Sequence, residues 1–274
     1  MSKTILITGS TDGIGLETAR MLLNDGHHVL LHGRNPGKLE RVAESLSSVS
    51  ADGRIESYVA DLSVMKEVES FAEAVLEKHD KLDVLINNAG ILKSPGPKTK
   101  DGLDVRFAVN TLAPYLLTQK LLPLLVSSGR VVNLSSAAQR PVNLDAISSY
   151  TQLQDMEAYA QSKLAITAWS RHMALSQKNT DAVIVAVNPG SLLGSKMVKE
   201  GFGIAGGDIS IGAEILCRAA LADEFASASG QYFDNDSGQF ASPHPDALDT
   251  QKTRMLVDTI EMVIADLKLE TYAT

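Results

Sequence analysis

Tyr159-Ala160-Gln161-Ser162-Lys163 sets a phenol and an ammonium four residues apart. In a helix that spacing puts both on one face, one turn from each other. A phenol has a pKa near 10 and is a poor base at neutral pH. An ammonium about 4 Å away, at an effective dielectric near 20, contributes about 4 kcal/mol, or about 3 pK units. A phenol so activated can exchange a proton with a carbonyl oxygen. Tyr and Lys at this spacing also meet by chance on many helices, so the pair needs company. Val131-Val132-Asn133-Leu134-Ser135-Ser136 supplies it, a buried-type strand ending in two hydroxyls. Either serine could hold a substrate oxygen against the phenol, and either could simply cap the next turn. Tyr150, the other nearby tyrosine, has Gln154 rather than a lysine four residues on.

A second feature concerns phosphate. Thr8-Gly9-Ser10-Thr11-Asp12-Gly13-Ile14-Gly15 follows an apolar run and opens a helical pattern. A glycine-rich turn between strand and helix lets the backbone approach a diphosphate and aims free N–H groups at it. Gly9, Thr11, Asp12, Gly13, Ile14 and Gly15 are therefore candidate nucleotide contacts. The run after the second strand, His32-Gly33-Arg34-Asn35, has no acidic residue. An acid there would receive an adenosine ribose, whereas Arg34 suits a 2′-phosphate, so NADP(H) is favoured over NAD(H). Asp12 pulls the other way by placing a negative charge in the loop.

These groups need elements to hold them. Short apolar runs at Thr4–Thr8, His28–His32, Arg54–Val59, Val84–Asn87, Arg130–Leu134 and Ala182–Val187 read as strands. Most are apolar almost throughout, as strands covered on both faces must be. Amphipathic patterns near 13–25, 36–49, 63–79, 101–127 and 157–177 read as helices between them. That alternation predicts an α/β fold, a doubly wound parallel sheet with helices on both faces. Such sheets bind ligands beyond the carboxyl ends of their strands, where the serines fall. Past residue 188 the rhythm breaks. The glycine-rich stretch 191–208 predicts a substrate loop, followed by a helix near 209–222, a short strand near 230–233 and a C-terminal extension about 239–274 that ends in an amphipathic helix. No repeat or linker divides the chain, so residues 1–274 are expected to form one domain.

Composition narrows the rest. The 274 residues carry a net charge of -8, which argues against a nucleic-acid or anionic-membrane surface. No apolar run approaches the roughly 18 residues of a membrane span. Cys217 stands alone, excluding an internal disulfide framework. With strand-like sequence starting at Thr4, a cleavable leader is not expected either, and a cytoplasmic, reducing location follows. His27, His28 and His32 straddle one strand without Cys or acidic partners at ligand spacing, so no metal site is expected. Trp169 and Met173 read as core or subunit packing.

Thr8-Gly-x-x-x-Gly-Ile-Gly15, Asn87-Asn88-Ala89-Gly90, Asn110, Ser136, Tyr159-x-x-x-Lys163 and Asn188-Pro189-Gly190, in that order, resemble the short-chain dehydrogenase/reductase family in its shorter single-domain branch. The resemblance spans roughly residues 3–235. It implies that Tyr159 is the acid/base and that Lys163 lowers its pKa and binds the nicotinamide ribose. Ser136, the second of the pair, would orient the substrate oxygen, and Asn110 would support a water relay from the lysine. Asn88, Ala89 and Gly90 would pack beside the cofactor and steady the sheet. Asp61 and Leu62 would touch the adenine, and Pro189 and Gly190 would line the nicotinamide. A homodimer or homotetramer is likewise implied. The segment from Ser136 to Tyr159 is longer than in the shortest members, with Asn143-Leu144-Asp145 in the insertion, as in members resembling retinol dehydrogenases. Ser195 stands where many members have a carboxamide-gripping Thr.

The expected activity is hydride transfer between NADP(H) and a ketone or aldehyde, or a secondary alcohol in reverse. Leu144, Leu192, Leu193, Met197, Phe202 and Ile204 suggest a partly apolar pocket for that small-molecule partner. A non-catalytic cofactor sensor or scaffold on the same fold is the rival, and an epimerase or dehydratase a further one.

Overall fold

The computed structural model describes residues 2–49, 52–125, 128–177 and 182–272. Its strands are β1 (Thr4–Ile7), β2 (His28–Gly33), β3 (Arg54–Val59), β4 (Val84–Asn87), β5 (Arg130–Leu134), β6 (Val183–Asn188), β7 (Tyr232–Asp234) and β8 (Gln239–Ala241). They form one sheet in the order β3-β2-β1-β4-β5-β6-β7-β8. The first seven run parallel and β8 returns antiparallel to β7. The helices are α1 (Gly13–Asn24), α2 (Pro36–Ser47), α3 (Met65–Lys78), α4 (Val105–Phe107), α5 (Ala113–Leu121), α6 (Leu144–Ser148), α7 (Asp155–Ser176), α8 (Lys196–Phe202), α9 (Ser210–Leu221), α10 (Pro245–Leu248) and α11 (Thr250–Tyr272).

The period of two in each strand builds two cores. Leu6, Leu30, Leu85, Val131 and Ile184 bury into one face with Phe71 of α3 and Trp169 of α7. Ile7, Leu31, Ile86, Val132 and Val185 bury into the other with Leu22 of α1 and Leu216 of α9. Both sides must be apolar because helices cover both. Trp169 is fully buried and meets Tyr115 edge-on at 5.4 Å, which makes it a core residue. Start signals are local: Asp12 caps α1 by accepting from the Gly13 N–H, and Asn35 caps α2 by accepting from the Lys38 N–H, with Pro36 in the first turn.

Two expectations need correction and two elements are new. The pattern at 101–127 is not one helix. It runs as α4, a π-helical turn at Ala108–Leu112, α5 and a 3-10 turn at Leu122–Leu124, and residues 126–127 lie outside those described. The stretch 191–208 is not loop throughout, since Ser195 caps the short helix α8. The insertion at Asn143 holds α6, capped by Asn143 itself. The strand β8 carries too little periodicity in its three residues to be read beforehand, and it completes the edge.

Candidate active site

The chain moves outward from β1 through β2 to β3 and then returns to place β4 on the other side of β1. The carboxyl ends of β1 and β4 therefore diverge, and a cleft of about 420 Å³ opens there. The glycine turn forms its floor. Gly9 has φ +66°, and a Cβ on it would sit 2.9 Å from the Ala89 Cα. Asn88 braces this turn, its Nδ2 donating to the carbonyls of Thr8 at 2.9 Å and Gly9 at 3.1 Å. The Ala89 N–H adds a bond to Thr8 Oγ1 at 3.1 Å. The sheet itself is tied by the preceding residue, Asn87, through Thr118 and Asn133.

Gly9, Thr11, Asp12, Gly13, Ile14, Arg34, Asp61, Leu62, Asn88, Ala89, Gly90 and Pro189 all line the cleft. Gly15 stands behind that wall, where a Cβ would meet Asn88 Nδ2 at 2.3 Å, and Gly190 packs toward Leu193. The negative charge of Asp12 is met by Lys38, whose Nζ lies 2.7 Å from Asp12 Oδ2 and holds the carboxyl below its usual range. Arg34 is exposed on the same rim. Bare backbone at the floor and cations at one end suit a phosphorylated dinucleotide.

At the other end stands the phenol. Helix α7 carries Tyr159 and Lys163 on one face, with Lys163 Nζ 5.6 Å from the ring centroid. Nζ donates to the Leu134 carbonyl at 2.7 Å, so the ammonium is pinned to the end of β5. Burial lowers Lys163 to about 8. For Tyr159 the expected depression does not hold in this arrangement. Burial pushes the phenol up, and the hydrogen bond with the Ser136 hydroxyl only partly offsets it.

The choice between the serines is made by packing. Ser135 is buried, and its hydroxyl is shared with Thr167 Oγ1 and the Lys163 carbonyl of α7. Ser136 faces Tyr159 instead, and its Oγ also accepts from the Ala138 N–H at 3.1 Å. Asn110 sits in the π-helical turn, where the Ala113 N–H bonds to the Ala108 carbonyl one residue beyond the α-helical partner. Fully buried, Asn110 accepts from the Ile91 N–H and donates to the Ile91 carbonyl and Ser162 Oγ. It locks α7 against the strand-to-helix segment that follows Gly90.

Several residues here escaped the sequence reading. His32, Lys38, Ile91, Leu92, Val109 and Lys196 also line the cleft. Of the six apolar residues expected around the substrate, Met197 lines it, Leu193 is buried, and Leu192, Phe202 and Ile204 are exposed. Leu144 packs on the core. Ser195 lines the cleft but spends its hydroxyl on the Val198 N–H as cap of α8. The β7–β8 turn clamps the Pro189-Gly190-Ser191 segment: Asp236 accepts from the Ser191 N–H and hydroxyl, and Asn235 Nδ2 donates to the Pro189 carbonyl. Such partners far apart in sequence leave no local pattern to read.

Strand order and a glycine turn at the switch point define a Rossmann-like nucleotide fold. A family model described as short chain dehydrogenase matches residues 3–202. Retinol dehydrogenase 13 of Homo sapiens is 30% identical over 273 aligned residues, covering 93% of this chain and 82% of the relative. Among solved structures, an uncharacterized protein from Mycobacterium paratuberculosis aligns with TM-score 0.79 at 28% identity, covering 96% of this chain and 93% of that one. A metagenomic short-chain oxidoreductase in complex with NADP aligns with TM-score 0.63 at 29% identity, covering 82% and 94%. The chain belongs to the short-chain dehydrogenase/reductase family, and it is an oxidoreductase.

Proposed function

We propose that this chain transfers hydride between NADP(H) and the carbonyl carbon of a ketone or aldehyde, or the corresponding secondary alcohol, with Tyr159 as acid/base. The observation that carries this reading is the Ser136–Tyr159 hydrogen bond beside a buried Lys163, at the opposite end of the cleft from Arg34 and Lys38. When bound, the nicotinamide supplies or accepts the hydride. The glycine turn and the Asn88-Ala89-Gly90 segment would hold the diphosphate and the cofactor's body. Arg34 would meet a 2′-phosphate, Asp61 and Leu62 the adenine, and Pro189 the nicotinamide side. Ser136 orients the substrate oxygen toward the phenol. Tyr159 gives its proton to that oxygen in reduction and takes it back in oxidation. Lys163 favours the phenolate formed in between by its nearby positive charge. Ile91, Leu92, Val109 and Met197 give the cleft apolar walls suited to a lipophilic substrate. The name of the retinol dehydrogenase relative supports an apolar alcohol or its carbonyl partner as the substrate class.

The test is a titration of purified chain with NADPH and NADH, followed by reduction of a panel of medium-sized ketones and aldehydes. NADPH should bind more tightly. Tyr159→Phe should lower turnover by at least about 100-fold while leaving NADPH affinity nearly unchanged. Near-normal turnover in that variant would overturn the mechanism, and tighter NADH binding would overturn the reading of Arg34.

A further inference from the structure

His32 is the penultimate residue of the buried strand β2, beneath the glycine turn, and is 2% exposed. Its ring makes two hydrogen bonds, each to a different wall of the cleft. The Gly9 N–H donates to Nδ1 at 3.0 Å, and Nε2 lies 3.1 Å from the Ala60 carbonyl. Since Nδ1 is the acceptor, Nε2 must carry the proton and donate to Ala60. One neutral tautomer satisfies both partners. The backbone adds to the junction, with the His32 N–H donating to Ser10 Oγ at 2.8 Å and the Ser10 N–H to the His32 carbonyl at 3.0 Å. The ring itself is stacked on Phe71 of α3, centroids 4.9 Å apart and 22° from parallel. It therefore has no room to turn over.

The two groups it joins are the ones that would receive a dinucleotide. Gly9 begins the phosphate turn in a left-handed conformation, and Ala60 precedes Asp61 and Leu62 on the adenine side. The geometry points to His32 as a positioning residue that holds the glycine turn and the end of β3 at a fixed separation in the shape that accepts the cofactor. This rests on the dinucleotide reading of the cleft.

Burial, and not the charge around the ring, favours the neutral form. The glycine turn offers it only N–H groups, and α3 offers the Phe71 ring. The end of β3 contributes the Asp61 carboxylate, and Asp12, Arg34 and Lys38 stand further round the cleft rim. Burial dominates and lowers the ring to about 4, with the Ala60 hydrogen bond and Asp61 opposing it. The ring is thus neutral at ordinary pH. As pH falls through about 4, Nδ1 takes a proton and the Gly9 N–H loses its acceptor.

Two substitutions separate the two halves of the bridge. His32→Asn puts an oxygen near the position of Nδ1 and keeps an acceptor for Gly9. His32→Gln keeps a donor near Nε2 for Ala60 and offers Gly9 none. Full-length wild type and both variants are compared by calorimetric titration with NADP⁺ at pH 7. Amide hydrogen exchange of Gly9 without nucleotide, corrected for intrinsic rates, is followed from pH 7 to pH 4.

H32N should bind NADP⁺ within about threefold of wild type, whereas H32Q should bind at least about tenfold more weakly, the loss expected of one buried hydrogen bond. Gly9 should exchange at least about tenfold faster in H32Q than in wild type, by the same arithmetic. On acidification, wild type should lose Gly9 protection and H32N should keep it. Equal affinity and protection in wild type and H32Q would overturn the proposal, as would H32N behaving like H32Q. Should H32Q fail to fold, H32N and the wild-type pH profile decide between them. If wild type bound no nucleotide while Gly9 followed the expected exchange pattern, the functional reading would fall and the anchoring role of His32 would stand.

Discussion

Lys163 shows how much a single position can cost a fold. The residue is 4% exposed, and its ammonium has the Leu134 carbonyl as hydrogen-bond acceptor. Burial lowers its pKa to about 8, below its ordinary value of 10.5. Between those values the unfolded chain holds a proton that the folded chain has released. Stability conferred by this residue therefore rises with pH from about 8 to above 10, and below 8 the full cost of the buried charge is present. Urea denaturation of wild type and Lys163→Met at pH 7, 8, 9 and 10 should show the difference between them shifting in favour of wild type as pH increases. A difference constant across that range would mean the ammonium is not destabilised by burial. A buried ammonium beside the Tyr159 ring is what the role proposed for Lys163 requires.

At the scale of elements, the π-helical turn and α4 fix where α7 starts. Arg106, 1% exposed, reaches Asp104 through Nε at 2.7 Å and a second, parallel contact, and it also reaches Asp155 in the first turn of α7. Asp104 is fully buried and additionally accepts from the Arg106 N–H. Loss of Asp104 would leave the buried guanidinium with Asp155 as its remaining carboxylate partner. Asp104→Ala should cost about 3–5 kcal/mol in urea unfolding, the usual penalty for removing one partner of a buried ion pair. A loss below about 1 kcal/mol would place the pair with weak surface bridges instead. The same scale explains the mixed outcome at 191–208. A run rich in glycine reads as loop, yet Ser195 can cap a short helix there because the β7–β8 turn already fixes the residues before it.

Over the whole molecule, a net charge of -8 coexists with a cleft whose lining is far less acidic, Arg34, Lys38, Lys93 and Lys196 standing against Asp12, Asp61 and Glu200, with Lys38 paired to Asp12 and Lys196 to Glu200. Arg34, exposed and without a carboxylate partner among the ion pairs of the described residues, is the group there best placed to meet a phosphate. NADPH carries a 2′-phosphate that NADH lacks, so its binding should weaken more steeply as salt rises from about 0.05 M to about 0.5 M, where the screening length shrinks severalfold. Arg34→Asp should remove most of the difference in slope, together with most of the preference for NADPH. Equal salt slopes for the two nucleotides in wild type would exclude a role for the rim in reading the phosphate. Among the described residues no helix is long and apolar enough to cross a membrane.

Much of this protein could be read from short windows of its chain. Alternating strand and helix periods determined the parallel sheet, because both signals are complete within about ten residues. The glycine turn and Tyr159-x-x-x-Lys163 were legible for the same reason, their spacing being their geometry. What the tertiary structure alone decided were meetings between distant segments. It turned Ser136 rather than Ser135 toward Tyr159, brought Lys38 to Asp12, and broke the helix around Asn110 with a π-helical turn. It also seated His32 between Gly9 and Ala60 and clamped Ser191 with Asp236. Each of these depends on how sheet and helices pack, and the free energy of a contact across the fold leaves no period in the residues that make it.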